Sequence, residues 1–237
     1  MTNITMNETE LTLAHLKQVI NSNGAPSSLH EEKAVYDADR GYTFSDYFRL
    51  NSSAVEIAAL LGYTYERAYL NLPCTEDALP ELDTLQHRLE QNLVHIAMTS
   101  EMARREFLIA PILAQLLDYV DARLIIERTI SVNNILQGAL DYYLEANACC
   151  VVIEAKNADL QRGFHQLMAE MAALDQHPET PASPLLYGAI TVGDVWQFGR
   201  LHRPTKEMVQ DLALYTIPAQ VETLLRTLIA ILTKENL

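Results

Sequence analysis

Asp141 follows Gly138, Ala139 and Leu140, and after twelve intervening residues the chain reads Glu154, Ala155, Lys156. Glu154 and Lys156 are two apart, so on a strand they point to the same face. The preceding Val151, Val152 and Ile153 make that strand strongly apolar. A carboxylate and an ammonium there are costly to bury unless they pair or bind something. Two carboxylates converging from adjacent strands make a hard, oxygen-rich site suited to Mg²⁺ or Mn²⁺. A lysine beside them can position or activate a water and stabilise charge developing on a phosphate. The bland alternative is a surface ion pair. Three features weigh against it. Asp141 lies on a preceding strand after a Gly, the Glu154–Lys156 pair closes an apolar strand, and the next helix carries Gln166 and Glu170 one turn apart.

The elements that must hold these residues are legible from periodicity. Leu124 to Val132 is rich in β-branched residues and reads as a strand. Asn133 and Asn134 make a turn, Leu136 to Glu145 a second strand and Cys149 to Lys156 a third. The short link between the last two predicts an antiparallel hairpin. Asp159 to Asp175 has a helical stripe of Leu160, Phe164, Leu167, Met168, Met171 and Leu174. Leu185 to Val192 and Val195 to Leu201 read as strands around a Gly193–Asp194 turn, and Gln220 to Lys234 as an amphipathic helix. The first hundred residues read as mostly helical: Glu8 to Ile20, a loop at Asn21 to Ser28, and Ser52 to Leu61 with Gly62 past its end. Thr75 to Pro80 reads as an entry loop, and Leu82 to about Tyr119 as helix with a bend at Pro111. The expectation is an α/β fold, a mixed β-sheet flanked by helices. A mainly helical N-terminal region over 1–81 precedes a core over 82–237.

Composition narrows the classes. The chain has 237 residues, 49% hydrophobic and 20% charged, which is globular rather than disordered. Its 17 Lys+Arg against 31 Asp+Glu give a net charge of −14, which argues against a broad basic nucleic-acid coat but leaves room for a local groove. No apolar run is long enough for a membrane-spanning helix, and the polar, acidic start does not read as a secretory signal. Cys149 and Cys150 are adjacent, so as strand residues they face opposite ways. With Cys74 they form no zinc-type spacing, and a reducing, cytoplasmic setting is expected.

The run LQGALDYYL, then VVIEAKN, then a helix with GFHQLMAE resembles the PD-(D/E)XK nuclease superfamily, whose fold is restriction-endonuclease-like. It is similar in particular to uncharacterised bacterial and cyanobacterial members and to the nuclease modules of type I restriction enzymes. The later YGAITVGDVWQFGRL is similar to the hairpin that follows the core in those relatives. The likeness spans about residues 100–205. It implies that Asp141 and Glu154 bind Mg²⁺ or Mn²⁺, that Lys156 helps activate the attacking water, and that Gln166 supports the site. It also implies an acidic ligand on the preceding helix, for which Glu106 is the candidate and Glu101 the rival. Leu140 stands where the motif name has Pro, and Glu170 where the best-known glutamine branch has Tyr; neither change removes a ligand. The implied activity is Mg²⁺-dependent phosphodiester hydrolysis on DNA, with RNA as the other polymer. Two subunits pair in many nucleases of this fold, and a protein partner could supply DNA affinity. The alternative is a non-catalytic binding or assembly protein that keeps the fold.

Other candidates carry less. Glu127 reads as a strand-edge charge paired with Arg128 or Arg123, and His165 as a partly exposed helix residue. Ser183 and Thr191 have no nucleophile-elbow context. Neither a phosphate-binding GxxxxGK[ST] nor a GxGxxG motif occurs. Trp196 reads as a core anchor. Arg104 and Arg105, and Arg200, Arg203 and Lys206, are the local basic clusters available to phosphates.

Overall fold

The computed structural model describes residues 40–146, the backbone of 149–154, and residues 159–233. The expected helix over 8–20, the loop over 21–28, the side chains of Cys149, Cys150 and Glu154, and Lys156 all lie outside that description.

Two short helices open it. α1 (Phe44–Arg49) and α2 (Ala54–Leu61) each begin with a capping box. The Thr43 N–H donates to Asp46 Oδ2 at 2.8 Å, and the Ser53 N–H to Glu56 Oε2 at 2.7 Å. Gly62, at φ 86°, ends α2 in the left-handed conformation that glycine adopts without steric cost. Strand β1 (Thr64–Ala68) follows, then α3 (Leu82–His95). The expected long helix to Tyr119 is broken at 96–100 and resumes as α4 (Glu101–Arg104), a π-helical turn (Arg105–Ile109) and α5 (Ala110–Leu117). Pro111 cannot donate to the Phe107 carbonyl. Asn92 Nδ2 from α3 donates to that carbonyl instead, at 2.8 Å.

Next come β2 (Arg123–Ser131), β3 (Gln137–Glu145), β4 (Cys149–Glu154), α6 (Leu160–Gln176), β5 (Leu185–Thr191) and β6 (Val195–His202). The chain closes with β7 (Glu207–Asp211), β8 (Tyr215–Thr216) and α7 (Val221–Thr233). Among the described residues the strands form one mixed sheet in the order β1-β7-β6-β5-β4-β3-β2, with β8 beside β6. β1–β7 and β4–β5 are parallel, and the other pairs are antiparallel. The expected hairpins at β3–β4 and β5–β6 are present, and β2 pairs with β3 antiparallel as well. β1, β7 and β8 were not among the expected strands, because they are short and carry Glu66, Arg67, Gln210 and Asp211 within them.

Two apolar layers cover the sheet. On one face Phe164, Leu167, Met168 and Met171 of α6 pack with Phe44, Tyr47 and Ile57 of α1 and α2. On the other, Leu89, Ile109, Ile112 and Leu113 pack with Leu224, Leu225 and Leu228 of α7. Residues 42–68 thus share a core and a sheet with residues beyond 82. Trp196 is fully buried, and its Nε1 donates to the Gly193 carbonyl at 3.2 Å. No helix among the described residues is long and apolar enough to cross a membrane.

α6 sits very close to the sheet. Gly188 of β5 and Gly199 of β6 are register partners beneath it. A Cβ on Gly188 would fall 2.5 Å from Leu167 Cδ1, and one on Gly199 would fall 2.8 Å from the Phe164 ring. At its C-terminal end, Asp175 accepts from Arg203 Nε at 2.7 Å, from Tyr63 OH at 2.7 Å, and from Lys206 Nζ. Burial pushes the Asp175 carboxyl up, but these hydrogen bonds outweigh it and its pKa lies below the ordinary value. Gly199→Ala should therefore destabilise the protein by about 1–3 kcal/mol through overpacking. Urea unfolding measures this, and an unchanged midpoint would contradict so close a seat.

Candidate functional site

Two of the residues singled out for chemistry, Asp141 and Glu154, have their backbone on the neighbouring strands β3 and β4, near the end of the β3–β4 ladder. The β3–β4 ladder runs from Glu145–Cys149 to Tyr142–Val152. Asp141 is the next residue of β3, and Glu154 lies two beyond Val152, where β4 pairs with β5 through Glu154–Thr191. Lys156 lies outside the described residues.

Asp141 also stands at an irregularity shared by β2 and β3. Ile126 pairs with Tyr142 and Arg128 with Leu140, with Glu127 and Asp141 between those rungs. Ile125 and Tyr143 contribute to the α6-side core, and Leu124, Tyr142 and Leu144 to the opposite one. Strict alternation would then place Ile130 and Leu140 with the opposite core, yet both belong to the α6 side. Each strand has slipped by one residue without changing the register. Glu127 has φ 55°, a conformation uncommon for a residue with a side chain. Such irregularities re-aim side chains beside functional sites.

α6 presents Gln166 and Glu170 to this region. Gln166 Nε2 donates to Glu170 Oε1 at 2.9 Å, and both side chains are buried. Glu170 Oε2 has no hydrogen-bond partner among the described residues. Burial pushes the Glu170 carboxyl well above the ordinary carboxylate range. The Gln166 hydrogen bond pulls it down, and the neighbouring charge of Asp141 pushes it up. Glu170 is thus a buried acid near enough to Asp141 for their charges to interact, which the spacing of Gln166 and Glu170 hinted at but did not locate.

His165 differs from expectation. It is 3% exposed rather than partly exposed, because every residue from Gly163 to Leu174 is buried between the sheet and α1 and α2. Neither ring nitrogen has a partner among the described residues, and burial lowers its pKa.

The rival acids of the preceding helix line one cavity of about 490 Å³ on the other face, with Arg105, Ile126, Glu127 and Tyr142. Glu106 lies on the π-helical turn and Glu101 begins α4. Asp141 does not line that cavity. The partner of Glu127 is Arg105 at 4.0 Å, not Arg128 or Arg123. Arg128 lies over the Tyr143 ring at 4.3 Å and pairs with Glu179 at 3.6 Å. Arg203 and Lys206 are engaged by Asp175. The Ser183 and Thr191 hydroxyls donate to the carbonyls of Leu185 and Val195, a structural role.

Among the described residues, no three of His, Cys, Asp and Glu stand together as a metal-binding group; the Glu154 side chain is not among them. The described donors fit a hard cation in type, since Asp141 and Glu170 offer only oxygen and one Glu170 oxygen lacks a hydrogen bond. The sequence matches no protein-family model and no curated protein.

An acid whose folded pKa is raised binds its proton more tightly when folded. Stability then falls as pH rises above the unfolded value of about 4.3. In EDTA, Glu170→Gln should raise the melting temperature at pH 8 by at least about 2 °C more than at pH 5. Equal changes at both pH values would show that Glu170 does not carry a raised pKa.

Proposed function

We propose that the chain is a restriction-endonuclease-like, Mg²⁺- or Mn²⁺-dependent nuclease acting on DNA. The succession α5, β2, β3, β4, α6, β5, with β4 parallel to β5, supports the fold reading. The observation that carries the function is the parting of β3 and β4 at Asp141 and Glu154, over the buried Gln166–Glu170 pair. In this reading Asp141 and Glu154 hold the cation, while Glu106 lines the separate cavity on the opposite face and is not brought to it. The cation supplies charge neutralisation at the phosphate. Lys156 orients the attacking water, and Gln166 fixes the Glu170 carboxyl beside Asp141. Pairing of two subunits would allow both strands of a duplex to be cut.

The second reading, a non-catalytic binding or assembly protein, is favoured by the net charge of −14 and by the engagement of Arg203 and Lys206 with Asp175. A partner protein could supply the affinity for DNA that this surface lacks.

The two readings part in a cleavage assay. Purified full chain with Mg²⁺ or Mn²⁺ should cut duplex DNA, single-stranded DNA or RNA. Lys156→Ala should lower that rate by about 100-fold or more. Equal rates in the variant would remove Lys156 from the site, and no cleavage of any polymer would favour the binding reading.

A further inference from the structure

A second cleft opens on the α6 side of the sheet, beyond β5 from Asp141. Its volume is about 390 Å³, in the range of small-ligand pockets. Tyr65, Arg67, Gln197 and Gln210 floor it, and Leu160 and Ser53, from the starts of α6 and α2, wall it. We infer that this cleft binds a nucleobase of a single-stranded or unpaired nucleic acid. The inference deepens the nuclease reading and rests on it for the polymer.

The floor is an ordered row of amides. Tyr65 OH donates to Gln210 Oε1, Gln210 Nε2 donates to Gln197 Oε1 at 2.9 Å, and Gln197 Nε2 donates to the Asp211 carbonyl at 2.7 Å. Gln197 is 4% exposed and Gln210 5% exposed, so neither rotates freely. A primary amide has two N–H donors and two acceptor positions. These bonds take one donor and one acceptor position from each glutamine. Among the described residues each has one donor and one acceptor left, held in a fixed row. A phosphate needs only donors, whereas a base edge needs donors and acceptors side by side.

The surroundings agree. Leu160 supplies an apolar wall for a ring face. Arg67 is exposed, and no Asp or Glu among the described residues lines the cleft. That leaves the rim favourable to the phosphates flanking a bound base. A base paired inside a duplex could not reach the floor, so the ligand is an unstacked base.

The position suits a substrate strand passing the candidate site. Gln197 pairs with Ile190, and Ile190 pairs with Ile153, the residue before Glu154. The amide row therefore begins two strands from Glu154, about 10 Å across the sheet.

Binding without catalysis tests this. Fluorescence anisotropy in EDTA compares a short labelled single-stranded DNA with an abasic strand of the same length, using the full chain. The base-bearing strand should bind at least about tenfold more tightly. Gln210→Leu should erase most of that difference, as should Leu160→Trp, which fills the cleft, whereas Arg67→Ala should weaken both strands and leave the difference. Leu160→Trp lies at the wall, so it decides the matter should Gln210→Leu fail to fold by circular dichroism. Equal binding of the two strands, no binding of either, or a difference untouched by Leu160→Trp would overturn the inference. Cleavage with Mg²⁺ is scored separately. Cleavage without a base-dependent difference would overturn the cleft's role and leave the nuclease reading standing. A base-dependent difference without cleavage would do the reverse.

Discussion

The structure depends on how closely α6 lies against the sheet. Gly188 and Gly199 face each other beneath it, and neither position has room for even a methyl group. Seated so deeply, α6 is buried on every side from Gly163 to Leu174, with α1 and α2 closing over it. The Asp175 cluster fixes its far end through Tyr63, Arg203 and Lys206. A helix held at both its middle and its end has little freedom to slide. Its polar residues are therefore placed within fixed limits.

That constraint gives the polar positions of α6 their meaning. His165, Gln166 and Glu170 would be ordinary surface residues on a helix covered by one face only. Here they are buried, and Glu170 stands close enough to Asp141 for their charges to interact. The matched slip in β2 and β3 sets Asp141 at the point where β3 leaves β4. Burial of a carboxyl with one oxygen unpartnered among the described residues is unfavourable. Its presence beside a second carboxylate suits a site that a cation completes, and strained or costly features of this kind concentrate at functional sites.

The main strands and both long core helices were legible because their patterns are strong. Ile125, Ile126 and Ile130 mark β2, and Phe164, Leu167, Met168 and Met171 mark α6. The Gly62 that terminates α2 was equally plain, while the capping box at Ser53 emerges only in the structure. β1 and β7 were hidden because short strands with Glu, Arg, Gln and Asp carry no hydrophobic alternation. The break between α3 and α4 was hidden because nothing in Ile96 to Ser100 is a strong helix breaker apart from the Ser100 cap. The burial of His165 and the pairing of Glu127 with Arg105 depend on neighbours distant in sequence, which periodicity cannot supply. Of the candidate site, the strand positions of Asp141 and Glu154 were readable. The slip at Asp141 and the role of Glu170 were not.

The net charge of −14 remains the strongest physical objection to a nucleic-acid substrate. Part of it sits in the residues assigned to the cation, so metal binding is the step on which the account turns. Isothermal titration calorimetry of Mn²⁺ into the full chain, without nucleic acid, tests that step most directly. The account predicts binding to the wild type that is lost in both Asp141→Asn and Glu154→Gln. Binding that survives in both variants, or none in the wild type, would contradict it.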